Sequence, residues 1–84
     1  MIYSIVYSEL SFRQLKKLPK EIQRRIILVL ERCSIRPYPL IKRLVGSPYF
    51  RLRVGNYRVI MDIREDKLII FVIEVGHRKK IYKE

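Results

Sequence analysis

One cysteine, Cys33, and one histidine, His77, are the only thiol and the only imidazole in this chain. One thiol allows no intramolecular disulfide and no cysteine-based zinc site. One imidazole allows no histidine cluster. The three glycines form no Gly-rich phosphate loop, and no nucleophile elbow, paired carboxylates or metal-ligand spacing can be found. An enzyme with this sequence is expected to work without a metal or a cofactor. The start, "MIYSIVYSELSF", lacks a charged leader and a long apolar run. It is expected to be neither a signal peptide nor a membrane span, which points to a cytoplasmic protein. Repeats and low-complexity segments are missing as well.

Acid is also scarce. Eight Asp and Glu stand against 19 Lys and Arg, a formal charge of +11 in 84 residues with a pI near 10.2. Such a bias calls for a polyanionic partner: nucleic acid first, an acidic protein second, an anionic membrane third. The hydrophobic fraction of 49% and the six tyrosines belong to a folded chain rather than a disordered one. Residues 1–84 are expected to form one small domain with one modest core.

Periodicity supplies the elements. "IYSIVY" reads as a strand. "SELSFRQLKKL" reads as a short amphipathic helix with Leu10, Phe12, Leu15 and Leu18 apolar and Ser8 as its cap. Pro19 suits the first turn of a second helix, with Glu21 near its positive end. That helix, "KEIQRRIILVLERCS", turns Ile22, Ile26, Val29, Leu30 and Cys33 inward, so Cys33 is expected to be a small buried hydrophobe. Arg13, Lys16, Lys17, Lys20 and Arg24 recur at three or four residues and make a basic outer stripe, an ordinary solvated face on composition alone. "IRPYPLIKRLVGSPYF", broken by Pro37, Pro39, Gly46 and Pro48, reads as a connector. "LIIFVIEV" is continuous and β-branched, as in a central strand covered on both faces and ending at Gly76. A short edge strand at "KKIY" closes the chain. The expected fold class is α+β, in the order β-α-α-β-β-β, with a helical hairpin on one face of a small, antiparallel-rich sheet.

The most informative stretch is "YFRLRVGNYRVIMDI". Apolar residues alternate with Arg51 and Arg53, then resume after Gly55-Asn56, a pair suited to a two-residue hairpin turn. That turn sets Val54 against Tyr57, Arg53 against Arg58, Leu52 against Val59 and Arg51 against Ile60. Arg51, Arg53 and Arg58 then share one face. Like charges directly opposed cost up to about 1 kcal/mol. A solvated basic face is one reading; a phosphate site is the better one, because guanidinium forks fit phosphate oxygens.

One reaction needs no cofactor. In RNA the 2′-hydroxyl can attack its own neighbouring phosphate, and the protein need only align the backbone, spread charge and assist two proton transfers. Arg51, Arg53, Arg58 and Arg78 suit the charge work. Tyr82 can stack on a base or handle a proton, and His77 is the side chain that ordinarily titrates near neutrality. The face of Glu74 depends on the length of the "REDK" turn and stays open. A non-catalytic RNA-binding module would instead show stacking aromatics on an open sheet face, whereas Phe50, Tyr57 and Phe71 are expected to be buried.

The order of elements, with "LKKLPKEI", "IKRLVGSPYFRLRVG", "YFRLRVGNYRVIMDI" and "FVIEVGHRKKIY", resembles the RelE/ParE superfamily of toxins over essentially the whole chain. The resemblance implies the toxin of a type II toxin–antitoxin pair. RelE-like members cut mRNA in the ribosomal A site without metal; ParE-like members share the fold and inhibit DNA gyrase without catalysis. The RelE motif positions match Arg51, Arg53, Arg58, Arg78 and Tyr82 here, and the stripe from Arg13 to Arg24 would meet ribosomal RNA. An acidic, RelB-like antitoxin is the implied partner, alongside the ribosome and mRNA and no membrane, with the toxin itself monomeric. The chain departs from the best-known RelE proteins in one respect. They carry lysines where it has Arg51 and Arg53, and arginine, which stays protonated far above neutrality, is a very poor base. The resemblance therefore leaves the general base unassigned. The Arg78-to-Tyr82 spacing is also shorter than in those members.

Overall fold

A computed structural model describes residues 2–77. The elements run β1 (Ser4–Tyr7), α1 (Glu9–Lys16), α2 (Lys20–Ile35), a 3-10 turn at Tyr38–Leu40, β2 (Ile41–Arg43), β3 (Phe50–Val54), β4 (Tyr57–Arg64) and β5 (Ile69–His77). The strands make one sheet in the order β1-β5-β4-β3-β2. The β1–β5 pair is parallel, and the other pairs are antiparallel. With two helices over the sheet, this is the expected α+β fold.

Local chemistry sets the helix ends. The Ser8 hydroxyl oxygen accepts from the Ser11 backbone N at 3.0 Å and caps α1. Pro19 stands at the N-cap of α2, with Glu21 in the first turn. Between the helices, the Gln23 side-chain amide donates to the Leu18 carbonyl at 2.8 Å and ties down the connection. At the far end, Pro37 disfavours helical backbone in Arg36, which sits at φ −152°, ψ 84°.

The core lies between helices and sheet. Leu15, Ile26, Leu30 and Cys33 meet Leu52, Val54, Val59, Met61, Ile70, Val72 and Val75, with Ile22 and Val29 half-buried around them. Burial pushes the Cys33 thiol up to about 11. Because the thiolate is the reactive form, a maleimide at pH 8 is expected to label the native chain far more slowly than the chain unfolded in guanidinium. Equal rates would show that the core opens readily.

Four expectations need correction. Leu10 and Phe12 are 46% and 51% exposed. Each helical residue turns by about 100°, so both flank the fully buried Ser11 instead of sharing its face. The "connector" contains β2, whose Ile41, Lys42 and Arg43 pair with Leu52, Arg51 and Phe50. β5 does not stop at Gly76 but continues to His77, and it carries a bulge. It is central, yet Ile69 and Phe71 on the face away from the helices are only half-buried. The strand expected at "KKIY" lies outside the described residues. Among the described residues no helix is long and apolar enough to cross a membrane.

Candidate active site

The β3–β4 hairpin closes through a two-residue turn, with Gly55 at φ +59°. Its register sets Arg53 against Arg58, Leu52 against Val59 and Arg51 against Ile60, as the alternation predicts. Phe50, Leu52, Val54, Tyr57, Val59 and Met61 belong to the helix face, so Arg51, Arg53 and Arg58 belong to the opposite one. They are not equivalent there. Arg53 is exposed and Arg51 half-buried, while Arg58 keeps only 4% of its surface in water. Desolvating a cation costs several kcal/mol unless the site compensates it. A guanidinium this deeply buried is not part of an ordinary solvated strand face.

The structure adds cations that alternation did not reveal. Lys42 pairs with Arg51 across β2–β3 and so shares its face. The three residues of β2 sit among prolines and are too few to show a period. From the helix side, the Arg25 guanidinium reaches the hairpin tip. A Cβ built on Gly55 would stand 3.6 Å from its Nη1.

Glu74 also reaches the arginine face, and it does so through the bulge. Ile60 pairs with Glu74, but Met61 pairs with Val72, leaving Ile73 as the extra residue. Val72 and Val75 are consequently both buried on the helix face although three residues apart. Glu74 falls in a row with Lys42, Arg51 and Ile60. The bulge is held from α1 and its cap. β1 ends its pairing at Tyr7–Val72, and beyond that point no strand among the described residues adjoins β5 on this side. The Ser8 hydroxyl donates to the Ile73 carbonyl at 2.8 Å and the Ser8 backbone N to the Val72 carbonyl at 2.9 Å. The Ser11 hydroxyl donates to the Val72 carbonyl at 3.0 Å, and Gln14 Oε1 accepts from the Val75 N at 2.7 Å. Side chains thus replace the missing ladder, as buried backbone polar groups require.

His77 does not join this group. It pairs with Tyr57, the two rings meeting edge-on at 5.5 Å. Both line a cleft of about 350 Å³ on the helix side with Gln14, Lys17 and Leu18. The imidazole is therefore separated by the sheet from Arg53 and Arg58, because residues 57, 59 and 77 share one parity across the strands. Arg13, Lys16, Lys17, Lys20 and Arg24 are all exposed on the helices, again on the side away from the arginine face. Phe50 and Tyr57 are half-buried against the core rather than fully buried. Phe71, also half-buried, lines a smaller cleft with Val6, Arg64, Lys67 and Ile69. Arg78 and Tyr82 lie outside the described residues. Among the described residues no group of three or more His, Cys, Asp and Glu is placed to hold a metal ion.

Comparison with known proteins gives a consistent set of likenesses. Residues 5–82 match the family model described as ParE toxin of type II toxin-antitoxin system, parDE. Toxin RelE3 of Methanocaldococcus jannaschii is 36% identical over 84 aligned residues, covering 93% of each protein. The mRNA interferase toxin RelE of Escherichia coli K12 is 27% identical over 93 aligned residues, covering 100% of this chain and 94% of the relative. A chain in the crystal structure of the toxin–antitoxin complex RelBE2 from Mycobacterium tuberculosis superposes with a TM-score of 0.83 at 25% identity, covering 93% of this chain and 100% of that one.

Proposed function

The chain belongs to the RelE/ParE family of type II toxin–antitoxin toxins, and from that premise we propose that it is a ribosome-dependent endoribonuclease that cuts mRNA and so blocks translation. The observation that carries the reading is the guanidinium pair on the sheet, with Arg58 buried and directly opposed by Arg53. A scissile phosphate turns that repulsion into attraction. As the 2′-oxygen attacks, negative charge grows on the non-bridging oxygens, and preformed cations stabilise it without reorganisation. Arg51, Arg53 and Arg58 supply these cations, joined by Arg78 and Tyr82 from the family pattern. No metal is needed for this role.

The two basic surfaces lie on opposite sides of the sheet. This arrangement suits a slot walled by RNA: mRNA on the arginine face, ribosomal RNA against Arg13, Lys16, Lys17, Lys20 and Arg24. Phosphate contacts of this kind weaken steeply with salt. The ribosome places the toxin in the cytoplasm. Its control falls to an acidic antitoxin, attracted by the +11 charge and packed against apolar side chains such as Leu28 and Ile35, which α2 leaves 53% and 62% exposed. The relative's description as an mRNA interferase favours this reading. The parDE description of the matching family model favours a second one, gyrase inhibition without catalysis.

A single experiment separates the two. Purified chain is added to a translation system programmed with one mRNA, and in parallel to gyrase with relaxed plasmid. New mRNA ends inside the reading frame, absent when ribosomes are omitted, are the expected result. Intact mRNA with loss of supercoiling would establish the gyrase reading instead.

A further inference from the structure

The endoribonuclease reading leaves one chemical role empty: what removes the proton from the 2′-hydroxyl. Arginine holds its own proton too tightly to do so, and His77 is on the other side of the sheet. We propose that Glu74 is the general base, an assignment that rests on that reading.

Three observations converge on it. First, Glu74 faces the same side as Arg51, Arg53 and Arg58, in the row that runs Lys42, Arg51, Ile60, Glu74. Arg58, opposite Gly76, is its diagonal neighbour, and such neighbours stand about 7–8 Å apart, within reach of long side chains. A phosphate held by Arg58 thus brings the adjoining ribose toward the carboxylate. Second, Glu74 is half-buried, and among the described residues no ion pair ties it down. Asp62, on the same face but farther along β4, is taken by Arg64 at 2.8 Å. Third, the bulge itself selects this orientation. Counting by twos from the buried Val72 would drive residue 74 into the apolar core. The extra residue Ile73 inverts the parity, and bonds from Ser8, Ser11 and Gln14 hold it so. Bulges recur beside active sites because they re-aim one side chain without disturbing the rest of the sheet.

The step balances without an added reagent. The Glu74 carboxylate takes the 2′-hydroxyl proton as the 2′-oxygen bonds to phosphorus, giving a 2′,3′-cyclic phosphate. The bond from phosphorus to the 5′-oxygen breaks, and that oxygen takes a proton from water. Glu74 returns its proton to solvent when product leaves. Among the described residues, the charged groups on this face are Lys42 of β2, Arg51 and Arg53 of β3, Arg58 and the Asp62–Arg64 pair of β4; Ser8, Ser11 and Gln14 from the α1 side are neutral.

The test uses the full chain on ribosomes carrying one defined mRNA. Glu74→Gln, which keeps the shape and loses the basic oxygen, should cut about a hundredfold more slowly or worse, the usual worth of a general base. Its melting temperature and its binding to mRNA-programmed ribosomes should match wild type. The wild-type rate should fall on the acid side, and the residual Glu74→Gln rate should not follow it. Formate should restore part of the activity of Glu74→Ala. Cleavage by Glu74→Gln at the wild-type rate with the same acid limb would overturn the assignment, as would a loss explained by a lower melting temperature with no formate rescue. Intact mRNA with the wild-type chain would overturn the endoribonuclease reading and the base with it, whereas wild-type cutting alongside an active Glu74→Gln overturns the base alone.

Discussion

Replacing Arg58 by alanine is expected to slow cleavage of ribosome-bound mRNA by about a hundredfold or more, the cost of losing one charge contact of about 3 kcal/mol in the transition state. Arg53→Ala should cost a similar factor in rate, yet the two should part company in stability. Arg53 is exposed, so its removal relieves repulsion and leaves the fold unchanged or slightly firmer. Arg58 is buried, and truncation discards the packing of its long stem as well as its charge, so its melting temperature should fall. Arg58→Lys keeps one positive charge but not the planar fork and should recover only part of the rate. Single-turnover cleavage on stalled ribosomes, beside thermal melting of each free variant, measures both effects. Wild-type rates for Arg53→Ala and Arg58→Ala would remove the arginine face from the reaction.

Leu30→Ala should cost about 2–5 kcal/mol, because it deletes a fully buried side chain and leaves a cavity. Domains of this kind have about 5–15 kcal/mol in total, and each kcal/mol lost lowers the melting temperature by roughly 4–8 °C. Leu28→Ala, two residues away, removes the same atoms from a position that is 53% exposed and should stay within about 0.5 kcal/mol. Thermal unfolding followed by circular dichroism compares them directly. Similar losses for the two would mean that α2 does not pack as described.

The hairpin is legible in the sequence because its signals are local. Phe50, Leu52 and Val54 alternate over a few bonds, Gly55-Asn56 names the turn, and the turn length then dictates that Arg53 meets Arg58. Ser8 as a cap and the inward stripe of α2 rest on equally short-range rules. The misreadings occur where the pattern is shorter than its period or where two elements meet. β2 offers three residues among prolines. Leu10 and Phe12 look like core on hydrophobicity alone, but the sheet lies under Ser11 and Leu15.

What the sequence determined by itself, then, is the kind of fold, the charge that demands a polyanionic partner, and one strand face of arginines. Those follow from composition and from periodicities of two and 3.6, which act within a segment. Tertiary structure alone decided the depth of each arginine, the arrival of Lys42 beside Arg51, the removal of His77 to the far side and the turning of Glu74 toward the arginines. These depend on pairing between strands far apart in the chain and on a bulge clamped by Ser8, Ser11 and Gln14 from 61 to 65 residues away. A one-residue change of parity is invisible to a local pattern, because the hydrogen bonds that select it form only once α1 lies across β5.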